Sequence, residues 1–227
     1  MRITIENVRH KTKHLSQSFH NWLTILFKPD QFFIRVNAGE ITNSFFPMAL
    51  LALMIILQSI GQGAALGHLD QTTQSGFSLP AMVIFNLATL WITWLWVISI
   101  MRSFLILAGI RCPEWQPRVI VSWLFAPLTL RYGVRLIYTL ITSTPIKTAG
   151  FSGFMSEPSG FIGIFISQIL TQTDLYLCWQ MILLWIGLKY LPSIQPGQRL
   201  MLLIITVSNM LIISSLIQSF FVFLQFL

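Results

Sequence analysis

After about residue 45, the chain is organised as long apolar runs separated by short polar stretches. A helix needs about 20 predominantly apolar residues to cross roughly 30 Å of hydrocarbon, and it satisfies its own backbone while doing so. Five stretches predict such spans: 45–67, 81–102, 119–142, 174–191 and 200–226. The second stays apolar as far as Ile110, and the third is interrupted by Pro127 and Arg131. A further apolar run at 161–170 is too short to cross and predicts an interfacial or re-entrant helix before the fourth span. Residues 143–160, with Pro145, Gly150, Gly153, Pro158 and Gly160, predict a loop on the outer face.

The region before the first span has a different period. Leu15, Phe19, Trp22, Leu23 and Leu26 recur at helical spacing among polar neighbours, and Pro29 breaks the pattern. Asp30 is then placed to cap a second short helix carrying Phe32, Phe33 and Val36. A basic helix with aromatic residues on one face either lies in the cytoplasmic membrane interface or packs on the protein's own loops, and the pattern leaves both open. The predicted fold class is all-α integral membrane. It comprises five transmembrane helices, an N-terminal interfacial amphipathic helix and the short helix before the fourth span. Residues 1–44 form the cytoplasmic part and 45–227 one membrane domain, without the internal repeat that inverted-repeat transporters carry.

Composition makes lipid the solvent for much of this surface. Only 9% of residues are charged, against about 25% in a soluble domain. The formal charge of +7 would suggest nucleic acid in a hydrophilic chain. Here the cations cluster in loops, so the expected partners are anionic membrane lipids and not nucleic acid. Their distribution also predicts an orientation. Arg2, Arg9, Lys11, Lys13, Lys28 and Arg35 precede the first span, Arg102, Arg111 and Arg118 bound the loop after the second, and Lys189 and Arg199 flank the turn after the fourth. The stretch 68–79 has no Lys or Arg, and 143–160 has Lys147 alone. The N-terminus is therefore expected in the cytoplasm and the C-terminus outside, with a bacterial inner membrane as the expected location. The first twenty residues are polar and basic and give no cleavable signal pattern. Cys112 and Cys178 make neither a disulfide framework nor a metal pair.

Enzymatic motifs are sparse. Gly150-Phe151-Ser152-Gly153 matches the Gly-x-Ser-Gly of rhomboid-like intramembrane proteases, but the one outer-side histidine, His68, stands at a helix end away from that loop. His10 and His14, with His20 nearby, lack a third placed ligand and read as solvated residues. No catalytic residue, cofactor or metal is predicted, and an intramembrane enzyme ranks third among the functional readings.

The informative polar residues lie within the apolar runs. Arg131 and Arg135 stand one helical turn apart in the third span, where an arginine at mid-membrane costs about 2.5–3.5 kcal/mol. Asp174 is the one acid of the last three spans. It either pairs with Arg131 or Arg135 and locks the third and fourth helices together, or it caps the fourth helix while the arginines reach lipid phosphates. Gly63 and Gly67 offer a small-residue helix contact, and Gln58 and Gln62 share a face of the first span. Asn86, Gln180, Ser208, Asn209, Ser214, Ser215 and Gln218 can hydrogen-bond across helices. Packing accounts for them more simply than a conduction path, because a path needs a discontinuous helix and only the third span suggests one. Trp91, Trp94 and Trp96, with Trp123 in the third span, lie away from span ends. They offer an aromatic surface to a partner helix or serve as ordinary bulk. With Pro127, Phe220 and Phe221, the glycines and Trp91 and Trp94 form the candidate packing or docking surface.

Three blocks carry a family resemblance: Leu26-Phe27-Lys28-Pro29-Asp30-Gln31-Phe32-Phe33 before the first span, Val121-Ser122-Trp123-Leu124-Phe125-Ala126-Pro127-Leu128 in the third, and Asp174-Leu175-Tyr176-Leu177-Cys178-Trp179 with Leu183-Leu184-Trp185-Ile186-Gly187-Leu188 in the fourth. In this order they resemble the Yip family of five-span membrane proteins, which interact with Ypt/Rab GTPases, in its short bacterial form. The Asp-Leu-Tyr of the family's eukaryotic cytosolic motif falls inside a span here, so Rab binding is not carried over. The resemblance implies no catalytic residues. It implies a non-enzymatic accessory or scaffold subunit that binds other integral membrane proteins, an ABC-type exporter being the partner class. The alternative is a small permease or lipid-handling transporter centred on Pro127, Arg131 and Arg135.

Overall fold

The computed structural model describes residues 16–69, 79–143 and 160–224, with side chains at 16–64, 80–143 and 160–223. Every regular element among them is helical: α1 (16–27), α2 (Pro29–Asn37), α3 (Phe45–Leu69), α4 (Leu79–Leu107), α5 (Trp115–Leu124), α6 (Ala126–Thr142), α7 (Gly160–Gln172), α8 (Leu175–Lys189) and α9 (Pro196–Leu224). Four spans are long and apolar enough to cross a membrane: α3, α4, the α5–α6 pair and α9. The α7–α8 pair makes a fifth if its two bent halves count as one.

The N-terminal helices are tied to the bundle by aromatic packing. Pro29 opens α2 at its first position, where the missing N–H is of no consequence. Asp30 is not the predicted cap. It lies in the first turn of α2, after an N-cap at Lys28 that makes no side-chain bond. Its carboxylate instead accepts a hydrogen bond from the Tyr190 hydroxyl at 2.8 Å and lies 3.7 Å from Lys189 Nζ, at the C-terminal end of α8. Phe32, Phe33 and Val36 are buried against the bundle. Gly187 makes this possible, since a Cβ there would meet the Phe33 ring at 3.0 Å and Ile120 Cγ2 at 3.3 Å. The opposite side of α1 and α2 leaves Phe19, Leu23, Phe27 and Ile34 exposed. One face of this region thus packs on the protein, and the other is apolar and open.

Trp123, fully buried at the end of α5, joins three elements. Its Nε1 donates to the Asn43 carbonyl at 3.0 Å, and its ring lies against Phe32 and Phe46. Asn43 in turn caps α3, its Oδ1 accepting from the N–H groups of Phe45 and Phe46. Trp94 donates to Ser122 Oγ at 2.9 Å and stacks edge-on against Trp91, while Trp96 faces outward. Two of the three α4 tryptophans are therefore engaged inside the protein. The close approach of α3 to α6 falls at Gly61, where a Cβ would stand 3.0 Å from Leu136 Cδ1. Gly63, two residues on, points to nearly the opposite side of α3 and is half-buried, and the surroundings of Gly67 lie outside the described side chains.

The third span is broken between α5 and α6, and the chain is bent between α7 and α8, at the start of the stretch predicted as the fourth. Pro127 cannot donate to the ladder, and α5 ends at Leu124 before α6 restarts at Ala126. The stretch expected to be a complete fourth span holds only the 15 residues of α8, about 22 Å of helix. α7 precedes it and meets α8 at a 67° bend, so the two make either one broken span or a re-entrant pair. The short segment is thus longer than the predicted 161–170, and it packs along α9. Phe161 meets Phe223 at 5.9 Å between ring centroids, and Gln172 reaches Ser214, Ser215 and Gln218, so the two helices run antiparallel. Phe221 turns inward to stack on Phe85 at 3.9 Å, whereas Phe220 faces out.

Candidate functional site

Each broken helix pair supplies the side chain that satisfies the break in the other. At the first break the Leu124 carbonyl has lost its helical partner, and Gln180 Nε2 from α8 donates to it at 3.1 Å. At the second, Arg131 from α6 donates through Nη2 to the Thr171 carbonyl at 2.8 Å and places Nε 2.9 Å from Asp174 Oδ2. The Nε–H is not aligned on that oxygen as a hydrogen bond, so this contact is an ion pair by proximity. The other oxygen of Asp174, Oδ1, accepts from the N–H groups of Tyr176 and Leu177 and caps α8. The two roles open to Asp174 are therefore not alternatives: one carboxylate performs both. Both side chains are largely out of solvent, at 9% and 14% exposed, so each charge depends on the other. Arg135, the other cation of the expected pair, has no ion pair among the described residues and is half-buried one turn along α6.

Beside these breaks lies a partly open cavity of about 80 Å³. One water-sized sphere fills roughly 10–15 Å³, so the space suits several waters or a small solute. Its wall draws on α3, α4, α6, α7, α8 and α9 and includes Asn86, Thr93, Arg131, Tyr132, Gln180 and Gln218 among apolar side chains. The polar groups differ in how far the protein satisfies them. Thr89 donates back to Phe85 O, and Gln172 is held by Ser214, Ser215 and Gln218. Thr93, 3% exposed, has a buried hydroxyl with no protein partner. In water-poor surroundings an unpaired hydroxyl costs about 1–3 kcal/mol; Thr129, Thr139 and Thr206 are in the same condition, and of the four Thr93 is the one that lines this cavity.

Of the residues singled out from the sequence, Arg131, Asp174, Gln180, Ser214, Ser215 and Gln218 come together around this region, with Asn86 across the cavity. Pro127 is buried at the first break. Ser208 faces outward, and Asn209 bonds within its own helix to Ile205 O. Gly63, Trp91, Trp94, Phe220 and Phe221 do not line the cavity. Thr93, Tyr132 and Gln172 were not legible as site residues; an amide closing a short apolar helix just before a Thr-Asp pair was the available signal for Gln172. The fragment at 150–153 and the histidines His10 and His14 lie outside the described residues, as does the His68 side chain. Among the described residues no three His, Cys, Asp or Glu side chains cluster as a metal site. The three quoted blocks fall on the end of α1 with α2, on the α5–α6 break and on α8. No family model, curated protein or solved structure matches the chain.

Proposed function

We propose that the protein is a small membrane permease that takes a compact polar solute into the cavity between its two broken spans. The observation that carries this reading is the convergence of both helix breaks on a cavity whose wall holds the unpaired Thr93 hydroxyl. Discontinuous helices are the usual means by which a bilayer-spanning bundle exposes polar backbone and side chains to a solute, because unbroken helices consume those groups internally. On this reading the bent α7–α8 pair is the fourth of five spans, the N-terminus is cytoplasmic and the C-terminus is outside. The loop cations support that orientation. The Arg131–Asp174 pair holds the fourth span bent, and Gln180 holds the third.

Purified protein in liposomes tests the proposal. Flux of small polar solutes, read by osmotic swelling, should exceed that of empty vesicles and should fall about ten-fold or more in Thr93→Val. Valine fills the same space without the hydroxyl, so the folded protein should be as stable or more so. Absence of flux across neutral, zwitterionic and anionic solutes would end the permease reading.

A second reading has its own observation. Met201, Ile204, Ile212, Leu216 and Phe220 form an exposed apolar stripe along α9. That stripe and the Yip-like blocks support an accessory subunit docked on another membrane complex, an ABC-type exporter being the expected class. Gentle purification from the native membrane distinguishes the two. A stoichiometric partner lost on truncating residues 220–227 favours the accessory role, and recovery of the chain alone removes it.

A further inference from the structure

A second concavity, remote from the transport reading and independent of it, lies where α4 passes into α5. Glycine builds it. Gly109 has φ +69°, its N–H bonds Ile106 O and the Ile110 N–H reaches back to Leu105 O, which ends α4 in a reversed turn. Ile110 is buried, as is Leu105, and the next residues are thrown outward. The result is a groove of about 450 Å³, lined by Arg102, Ile106, Gly109, Arg111, Cys112 and Glu114. Nothing lies within 4 Å of where a Gly109 Cβ would be, so the floor is open.

Its chemistry is divided along the span axis. Arg102 pairs with Glu114 at 2.9 Å, while Arg111 is exposed and has no ion pair among the described residues. Burial pushes the Cys112 thiol above its ordinary range, with Arg102 partly opposing the shift, so the thiol adds no negative charge near neutral pH. Two arginines against one glutamate leave one uncompensated positive charge. On the membrane side, Ile106 and Leu107 are 72% and 87% exposed, at the point where the apolar run of α4 ends.

We propose that this groove binds an anionic phospholipid, with the headgroup phosphate at Arg111 and Arg102 and an acyl chain along Ile106 and Leu107. A soluble phosphate would use the cations and leave the apolar wall bare; a phospholipid at a span end presents both chemistries in the same order. Basic recesses at the ends of spans bind acidic headgroups because the charge is met where the bilayer places it.

The test is native mass spectrometry of the full chain in mild detergent with phosphatidylglycerol or phosphatidylcholine added. Retention of phosphatidylglycerol should exceed that of phosphatidylcholine. That preference should drop about five-fold in Arg111→Gln and rise in Glu114→Gln, which frees Arg102. Soluble glycerol phosphate should not displace the lipid. Equal retention of the two lipids, or an unchanged preference in Arg111→Gln with an unchanged melting temperature, would overturn the proposal. Displacement by glycerol phosphate would overturn it too, by assigning the groove to a soluble anion.

Discussion

Asp174 carries two loads that substitution can separate. Asparagine caps a helix about as well as aspartate, so Asp174→Asn keeps the bonds to Tyr176 and Leu177 and removes the charge facing Arg131. Leaving a buried charge without its partner costs about 3–5 kcal/mol, and the melting temperature in detergent should fall accordingly. Asp174→Ala should cost about 1 kcal/mol more, the value of a lost cap. Adding Arg131→Met to Asp174→Asn should restore most of the loss, because no unpaired charge then remains. Failure of that double variant to recover would show that Arg131 matters chiefly through its bond to Thr171 O. The sequence made Arg131 and Asp174 conspicuous as charges in apolar runs. It did not select between Arg131 and Arg135, which share a face of α6 one turn apart, and which of them lies level with Asp174 is set by how α7 and α8 sit against α6.

At the scale of elements, the breaks are held from outside. Gln180→Met keeps the shape of the side chain and removes the donor to Leu124 O, an interhelical bond worth about 1 kcal/mol in a membrane protein. A modest fall in melting temperature is expected, with greater exchange of the amides around Phe125 than elsewhere in α5 and α6. Uniform exchange along those helices would mean that the break does not depend on Gln180. The docking of α2 has a sharper dependence. Gly187→Ala puts a methyl group where the buried Phe33 ring lies, at 3.0 Å, and overpacking of this kind costs about 1–3 kcal/mol. Protease access between α1 and α3 should rise in that variant while the α7–α9 pair stays protected. Pro127 announced the first break, since proline removes a donor wherever it sits. The second was marked by the end of the apolar run at 170 and by Asp174 as a possible cap, but its angle was not. Thr171-Gln172-Thr173 is compatible with a helix, and the bend exists because Arg131 and the cap at Asp174 together satisfy the groups it frees.

For the molecule as a whole, orientation is the open quantity that a native residue can report. Cys112 lies in the α4–α5 loop, on the side the cations assign to the cytoplasm. An impermeant thiol reagent should label it in inverted vesicles and not in right-side-out ones; the opposite result would reverse the topology. The thiolate is the reactive form. Because burial raises the Cys112 pKa, labelling should be slow at neutral pH and quicken as the pH rises past the ordinary thiol range. Arg102→Gln removes the cation that favours the thiolate and should slow labelling further at any one pH.

What the sequence determined by itself is whatever depends on local length, polarity and backbone chemistry. It set the number of apolar runs, the near-absence of soluble surface, the turn at Pro29 and the interruption at Pro127. These follow from hydrocarbon thickness and from the donor that proline lacks, and no distant residue can alter them. The tertiary structure decided the angle at which α7 meets α8, which arginine meets Asp174, that Phe33 packs into the space left by Gly187, and that Thr93 faces a cavity. Those outcomes require knowing which helix faces lie against each other. In a chain this uniformly apolar, no polar side marks the outward face of a helix, so only the packed bundle fixes it.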